Sequence, residues 1–241
     1  RQSLRVTMAY YARAAETTRD PEIIGQATKL ATYLEEHQQA RHLAGLWLER
    51  QPDNADALRL AALADIQLDR PEQATETIDR LLAVHGSEAL IPLVAEARGL
   101  DESDNQRLLT ALSGLAERYP DQAPLWYARA LDRRQQSDLE GALDAVDTAL
   151  DQDPDHREAR LLRTQILFEQ GRRDKALGEL RDIVDEAPEA RRPRVAYVRL
   201  LLAAGRYDRA SEQLTILAEQ NPRDLDLQYS LALLALESGA M

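Results

Sequence analysis

Residues 51–53 read Gln-Pro-Asp, 119–121 read Tyr-Pro-Asp, 153–155 read Asp-Pro-Asp and 221–223 read Asn-Pro-Arg. Pro120, Pro154, Pro188 and Pro222 are each 34 residues apart, and the same step places Gly86, Pro52 and Thr18 ahead of them. A prolyl ring cannot donate the helical hydrogen bond and holds the residue before it extended, so each of these points ends a helix. The Asp that follows at 53, 121 and 155 is expected to cap the next helix, whose positive end it suits.

Other columns keep the same register. Twenty-two residues past each point stand Ala40, Ala74, Leu108, Ala142, Ala176 and Ala210. A small side chain recurring there is what a close helix–helix approach needs. Four residues further come Ala44, Ile78, Leu112, Val146, Leu180 and Leu214, and three beyond those Trp47, Leu81, Leu115, Ala149, Ile183 and Leu217. Steps of four and three trace the apolar stripe of a helix. Ten residues past the points are Thr28, Ala62, Glu96, Ala130, Thr164, Val198 and Ala232, mostly small. Seventeen past, the later units place Gly171, Gly205 and Gly239 where two helices must join in a tight turn.

A 34-residue period with small residues at fixed places and a closing Pro resembles the tetratricopeptide repeat. Ala203-Ala204-Gly205-Arg206-Tyr207-Asp208-Arg209-Ala210 and Gln170-Gly171-Arg172-Arg173-Asp174-Lys175-Ala176 look like its inter-helix turn. The resemblance implies an all-α fold: an α-solenoid, coiled as a right-handed superhelix, of about six helix pairs with a half-repeat at each end. The full repeats fall at 18–51, 52–85, 86–119, 120–153, 154–187 and 188–221, with half-repeats 1–17 and 222–241 in a single array. The unit 86–119 is irregular. It has Gly86 for Pro, Pro92 within its first helix, Glu96 at a small position, Gly99, and Leu108 for Ala. Helical phase is therefore expected to be weakest over 86–104.

Composition narrows the chemistry. Hydrophobic residues make up 44% and charged residues 30%, enough for a continuous core in a water-exposed protein. The net charge of −12 is spread evenly and leaves no basic stripe for nucleic acid. The chain has no Cys, which excludes disulfides, thiolate catalysis and Cys-ligated zinc. His37 and His42 are five apart, not on the one helical face a zinc pair needs. Asp151-Gln152-Asp153-Pro154-Asp155 imitates the start of a calcium loop but has His156 in place of the turn Gly and Leu162 in place of the closing acid. No phosphate-cradling Gly motif or nucleophile elbow occurs. The reading is a non-catalytic protein with no cofactor and no metal. No apolar run approaches the roughly 18 residues of a membrane helix. The chain starts at Arg1, so it is read as a fragment whose signal or lipid anchor would lie outside it.

In the family resembled, the first helices of the pairs line a groove that receives a peptide or a partner's helix. Counting that pattern onto this sequence gives the candidate protein-binding residues Arg59, Leu63, Tyr127, Leu131, Arg134, Leu161, Gln165, Arg199 and Tyr229. The groove arginines suit acidic side chains or a terminal carboxylate. The apolar members compete between packing inside the array and touching a ligand. Tyr127, Arg199 and Tyr229 lead, because polar tips are poorly used in a core.

The N-terminal stretch carries a narrower resemblance. Tyr10-Tyr11-Ala12-Arg13-Ala14-Ala15, Thr18-Arg19-Asp20-Pro21, Ala27-Thr28-Lys29-Leu30-Ala31 and Leu46-Trp47-Leu48-Glu49 with Pro52-Asp53-Asn54 are similar to repeat lipoproteins of Gram-negative proteobacteria. Among these is the outer-membrane adaptor of a periplasmic carboxyl-terminal processing protease. The resemblance implies a periplasmic scaffold, outer-membrane-anchored in the full-length protein, that presents substrates to that protease. The alternatives are an envelope-assembly scaffold for polysaccharide export or cytochrome maturation, and a cytoplasmic assembly factor.

Overall fold

The protein is described by a computed structural model covering residues 2–96, 99–225 and 229. Among the described residues there are thirteen α-helices and no strand. They are α1 (Gln2–Thr18), α2 (Pro21–Tyr33), α3 (His37–Arg50), α4 (Ala55–Gln67), α5 (Pro71–His85), α6 (Leu90–Glu96), α7 (Glu102–Leu115), α8 (Ala123–Gln135), α9 (Leu139–Gln152), α10 (Arg157–Glu169), α11 (Arg173–Glu186), α12 (Arg191–Ala203) and α13 (Tyr207–Gln220). A 3-10 turn, Ser87–Ala89, precedes α6. Contacts divide the chain into two compact units, residues 1–137 and 138–241. In the first, α1 through α5 pack each on the next, α5 packs on α7 and α7 on α8. In the second, α9 through α13 pack each on the next.

The repeated proline builds one turn many times over. Gln51, Asp153, Ala187 and Asn221 close the preceding helices with φ near −131° to −135°, the extended backbone that a following Pro imposes. The carbonyls of Gln51, Tyr119, Asp153, Ala187 and Asn221 then accept from the amides three residues on, at 2.9–3.2 Å, with Pro at the second place of each turn. This turn corrects the capping expected at Asp53, Asp121 and Asp155. Those residues are spent inside the turn, and the cap falls one residue later. Asn54 accepts from the Ala57 amide at 3.0 Å, and the His156 ring does the same for Ala159 at 3.3 Å. In the first unit Asp20 caps α2 through the Glu22 amide at 2.8 Å.

The turns within helix pairs follow a second pattern. Glu35, Asp69, Ser137, Gly171 and Gly205 occupy equivalent places and all have φ between 58° and 79°. The amides of Glu36, Arg70, Arg172 and Arg206 reach back to Ala31, Asp65, Leu167 and Leu201, closing each helix as a Schellman turn. Glycine takes this left-handed backbone freely; Glu35, Asp69 and Ser137 take it at a cost of about 1 kcal/mol each.

The columns read from the sequence are the core. Ala40, Ala74, Leu108, Ala142, Ala176 and Ala210 are all buried, as are Ile78, Leu112, Val146, Leu180, Leu81, Leu115 and Leu217. Burying a Leu or Ile side chain of this kind stabilises the fold by about 1.5–3 kcal/mol. Trp47 lies so close to α2 that a Cβ on Gly25 would stand 2.8 Å from its ring.

The unit 86–119 departs from its neighbours where the sequence breaks the pattern. Its first helix, α6, has 7 residues against 13 in α4 and α8. Its second helix, α7, begins at Glu102, three residues ahead of the place set by α5 and α9. Yet Leu108, Leu112 and Leu115 stay buried in their columns. The half-repeat 222–241 lies outside the described residues beyond Leu225, apart from Tyr229.

Candidate protein-binding surface

The first helices of the pairs carry the candidate residues, and the prolyl turn sets where each helix starts and so which way its side chains point. In the first unit the polar positions of successive first helices pair with one another. Lys29 of α2 reaches Asp56 of α4 at 2.8 Å, Asp56 reaches Arg59 at 3.3 Å, and Arg59 joins Glu96 of α6. The Lys29 hydrogen bond, the largest influence on Asp56, lowers that carboxyl's pKa. Glu96 is moved the opposite way: burial raises its pKa, and the Arg59 charge only partly offsets this. One of its oxygens is buried with no hydrogen-bond partner among the described residues.

The nine sequence-predicted residues fall into distinct environments. Arg59 is held by Asp56 and Glu96, its side chain 17% exposed. Leu63, Tyr127 and Leu161 are buried in their units, so the expectation that the phenol keeps Tyr127 near the surface is not met. Leu131, Arg134 and Gln165 are half-buried on α8 and α10. Arg199 on α12 is exposed, and its guanidinium has no hydrogen bond or ion pair among the described residues. Tyr229 is 66% exposed. Within α8, Trp126 donates to the Pro120 carbonyl at 2.8 Å and stacks with the Arg129 guanidinium 5.3 Å from its ring centre.

The second unit holds an open crevice of about 680 Å³ between α9, α10 and α11. Arg163 spans it, paired with Asp147 at 2.5 Å and with Glu179, while Arg160 takes both oxygens of Glu186. Both of its arginines are paired with acids of the same unit.

Three buried polar residues escaped the sequence reading. Asp65 is fully buried and takes the Arg41 Nε on both oxygens at 2.8 Å. Asp132 accepts from Gln106 at 2.6 Å and from Thr110 and Gln136 at 3.0 Å. Arg194, 5% exposed, donates to the Pro188 carbonyl at 2.7 Å and to Gln213. Their signal was a charge standing inside the apolar stripe of a helix. Among the described residues no three His, Cys, Asp or Glu side chains are placed to hold a metal ion, and no helix is long and apolar enough to cross a membrane.

Comparison with known proteins agrees with the helix pairs. Residues 127–191 and 167–235 each match a model of the tetratricopeptide repeat family. The TPR repeat-containing protein PA4667 of Pseudomonas aeruginosa is 32% identical over 131 residues, 54% of this chain. The chain spans 22% of that relative's length. Among solved structures, the Cut9–Hcn1 hetero-tetramer of the APC/C aligns over 94% of this chain and 45% of that one, at a TM-score of 0.54 and 10% identity. Pseudomonas aeruginosa pilF aligns over 88% of this chain and 96% of its own, at a TM-score of 0.48 and 17% identity. Residues 127–235 carry tetratricopeptide repeats, the repeat of a scaffold for protein interaction.

Proposed function

We propose that the chain is part of a periplasmic adaptor, anchored at the outer membrane in its full-length form, that holds a carboxyl-terminal processing protease together with its substrates. The observation that carries this reading is the N-terminal sequence from Tyr10 to Asn54, which resembles the proteobacterial repeat lipoproteins of that kind. The identity of 32% over 131 residues with a Pseudomonas aeruginosa repeat protein supports a proteobacterial origin for this repeat vocabulary. In this reading the chain supplies no catalytic group; it supplies surface. Arg199 is the first contact to the partner, because its guanidinium is exposed and makes no hydrogen bond or ion pair among the described residues, while Arg59 is held by two acids of its own unit. A free guanidinium offers a two-pronged donor to a carboxylate or a pair of peptide carbonyls.

The test is a cleavage assay with the purified protease, with and without the chain, alongside co-purification of the two. Faster substrate cleavage and a stable complex are expected. Arg199→Ala should leave the melting temperature unchanged and weaken the complex. A protease whose rate and elution ignore the chain would overturn the adaptor reading, and a variant that binds as well as the parent would remove Arg199 from the surface.

A further inference from the structure

The α3–α4 interface departs from the chemistry of its counterparts. In the 34-residue frame, Arg41 and Asp65 correspond to Leu177 and Leu201, which lie together in the core of the second unit. An ion pair in place of two leucines adds little or nothing to stability, since the desolvation of the charges offsets their attraction. What it does is fix a guanidinium. Asp65 takes the Arg41 Nε at 2.8 Å on both of its oxygens, while the two Nη groups donate to no protein atom among the described residues.

Those Nη groups stand at a crevice of about 570 Å³ between α3 and the α4–α5 turn. Arg70, at the head of α5, brings a second guanidinium, 51% exposed and no closer than 4.0 Å to Asp65. Gln38 adds an amide, His42 and Glu49 complete the polar wall, and Leu46 and Leu68 form its apolar part. The Glu49 carboxylate is paired with Arg19 at 2.8 Å. Gly45 sits mid-helix in the same wall, where glycine costs about 1 kcal/mol relative to Ala. A Cβ there would stand in ordinary contact with an Arg41 Nη, 3.5 Å away, which places that Nη beside the glycine in the crevice wall.

We propose that this crevice is a carboxylate site that takes a glutamate or aspartate side chain of a bound peptide. The carboxylate lies on the Nη groups of Arg41 and the guanidinium of Arg70, and the methylenes of the acid lie on Leu46 and Leu68. With Arg19 the crevice gathers three guanidinium groups against the two carboxylates Asp65 and Glu49, a local cationic point in a chain of net charge −12, which draws an acidic side chain to it. The proposal rests on the protein-binding reading but not on the protease. Its residues belong to the first unit, whereas Arg199 belongs to the second, so the two tests fail independently.

The experiment is fluorescence anisotropy of the whole chain with a labelled, acetylated and amidated Leu-Glu-Glu-Leu peptide, its Leu-Gln-Gln-Leu counterpart, and the Gln peptide with a free carboxyl terminus. The Glu peptide is expected to bind at least about tenfold tighter than either Gln peptide, and less tightly as salt is raised. Arg70→Gln should lose about tenfold in affinity with its melting temperature unchanged. Arg41→Ala would strand Asp65 and unfold the interface. The paired change Arg41→Leu with Asp65→Leu instead restores the leucines of the second unit, so it should fold and lose the preference for Glu. Equal binding of the Glu and Gln amides would overturn the site, as would a folded double-leucine variant that still prefers Glu. Binding of the free-carboxyl Gln peptide as tight as that of the Glu peptide would overturn the side-chain assignment.

Discussion

Repeat 154–187 and repeat 86–119 have the same length and solve the same packing problem differently. The first has Thr164 and Ala176 at its close contacts, both buried, and Gly171 in its left-handed turn, so two full helices fit. The second puts Glu96 and Leu108 at those places. A carboxylate cannot be desolvated cheaply and a leucine cannot be compressed, so the first helix shortens to seven residues and α7 starts early. The next unit is nonetheless in register, because α8 begins 68 residues after α4. The frame is therefore held by the buried second-helix stripe, and the first helix gives way.

That contrast can be broken at several strengths. The largest effect is expected from Ala176→Arg, which forces a charge into a fully buried contact; loss of more than about 4 kcal/mol should leave the second unit without helical circular dichroism at 25 °C. A normal melt would show that the column is not a close contact. Next is Leu108→Ala, which installs the residue found in the other units. If the irregular repeat is truly wider there, the cavity costs about 2–5 kcal/mol in a urea titration, and a neutral result would contradict the packing described.

Glu96→Gln is smaller and depends on pH. Burial holds the carboxyl's folded pKa above its unfolded value, so the protonated form favours the fold. Its contribution is complete below the unfolded carboxylate range and is lost as pH rises through the folded pKa. The variant should accordingly be more stable than the parent at neutral pH by about 1 kcal/mol or less, with the difference vanishing in acid; parallel melts across the acid range check this. The smallest effect is Ser137→Gly. It relieves the strained backbone that Gly171 and Gly205 already avoid, and a gain of about 0.5–1 kcal/mol is expected. No gain in the melting temperature would mean that the serine is not strained.

The sequence made the core legible because burial repeats: Ala40, Ala142 and Ala210 announce one another at fixed spacing, and each confirms the register of the rest. Its capping was misread because two residues separate the proline from the helix, and a tight turn looks like a cap when only one chain position is considered. The surface was less legible still. Position along a first helix suggested both Arg59 and Tyr127, the latter more strongly, but Arg59 is claimed by the acids Asp56 and Glu96 and Tyr127 sinks into the interior. Nothing local tells those apart. Arg41 and Asp65 lie 24 residues apart on different helices, and only a comparison with Leu177 and Leu201 in the shared frame would have exposed them.

The prolyl turn has a consequence for how the chain reaches its fold. Within each unit most helices pack on a sequence neighbour, so little structure waits on the closing of a long loop, and the entropy that slows β-rich folding is small here. Helix pairs can form wherever they first meet and spread outward from there. Such a chain also has a natural unit of growth: a stretch of 34 residues, cut at one proline and pasted at another, brings its own interface with it.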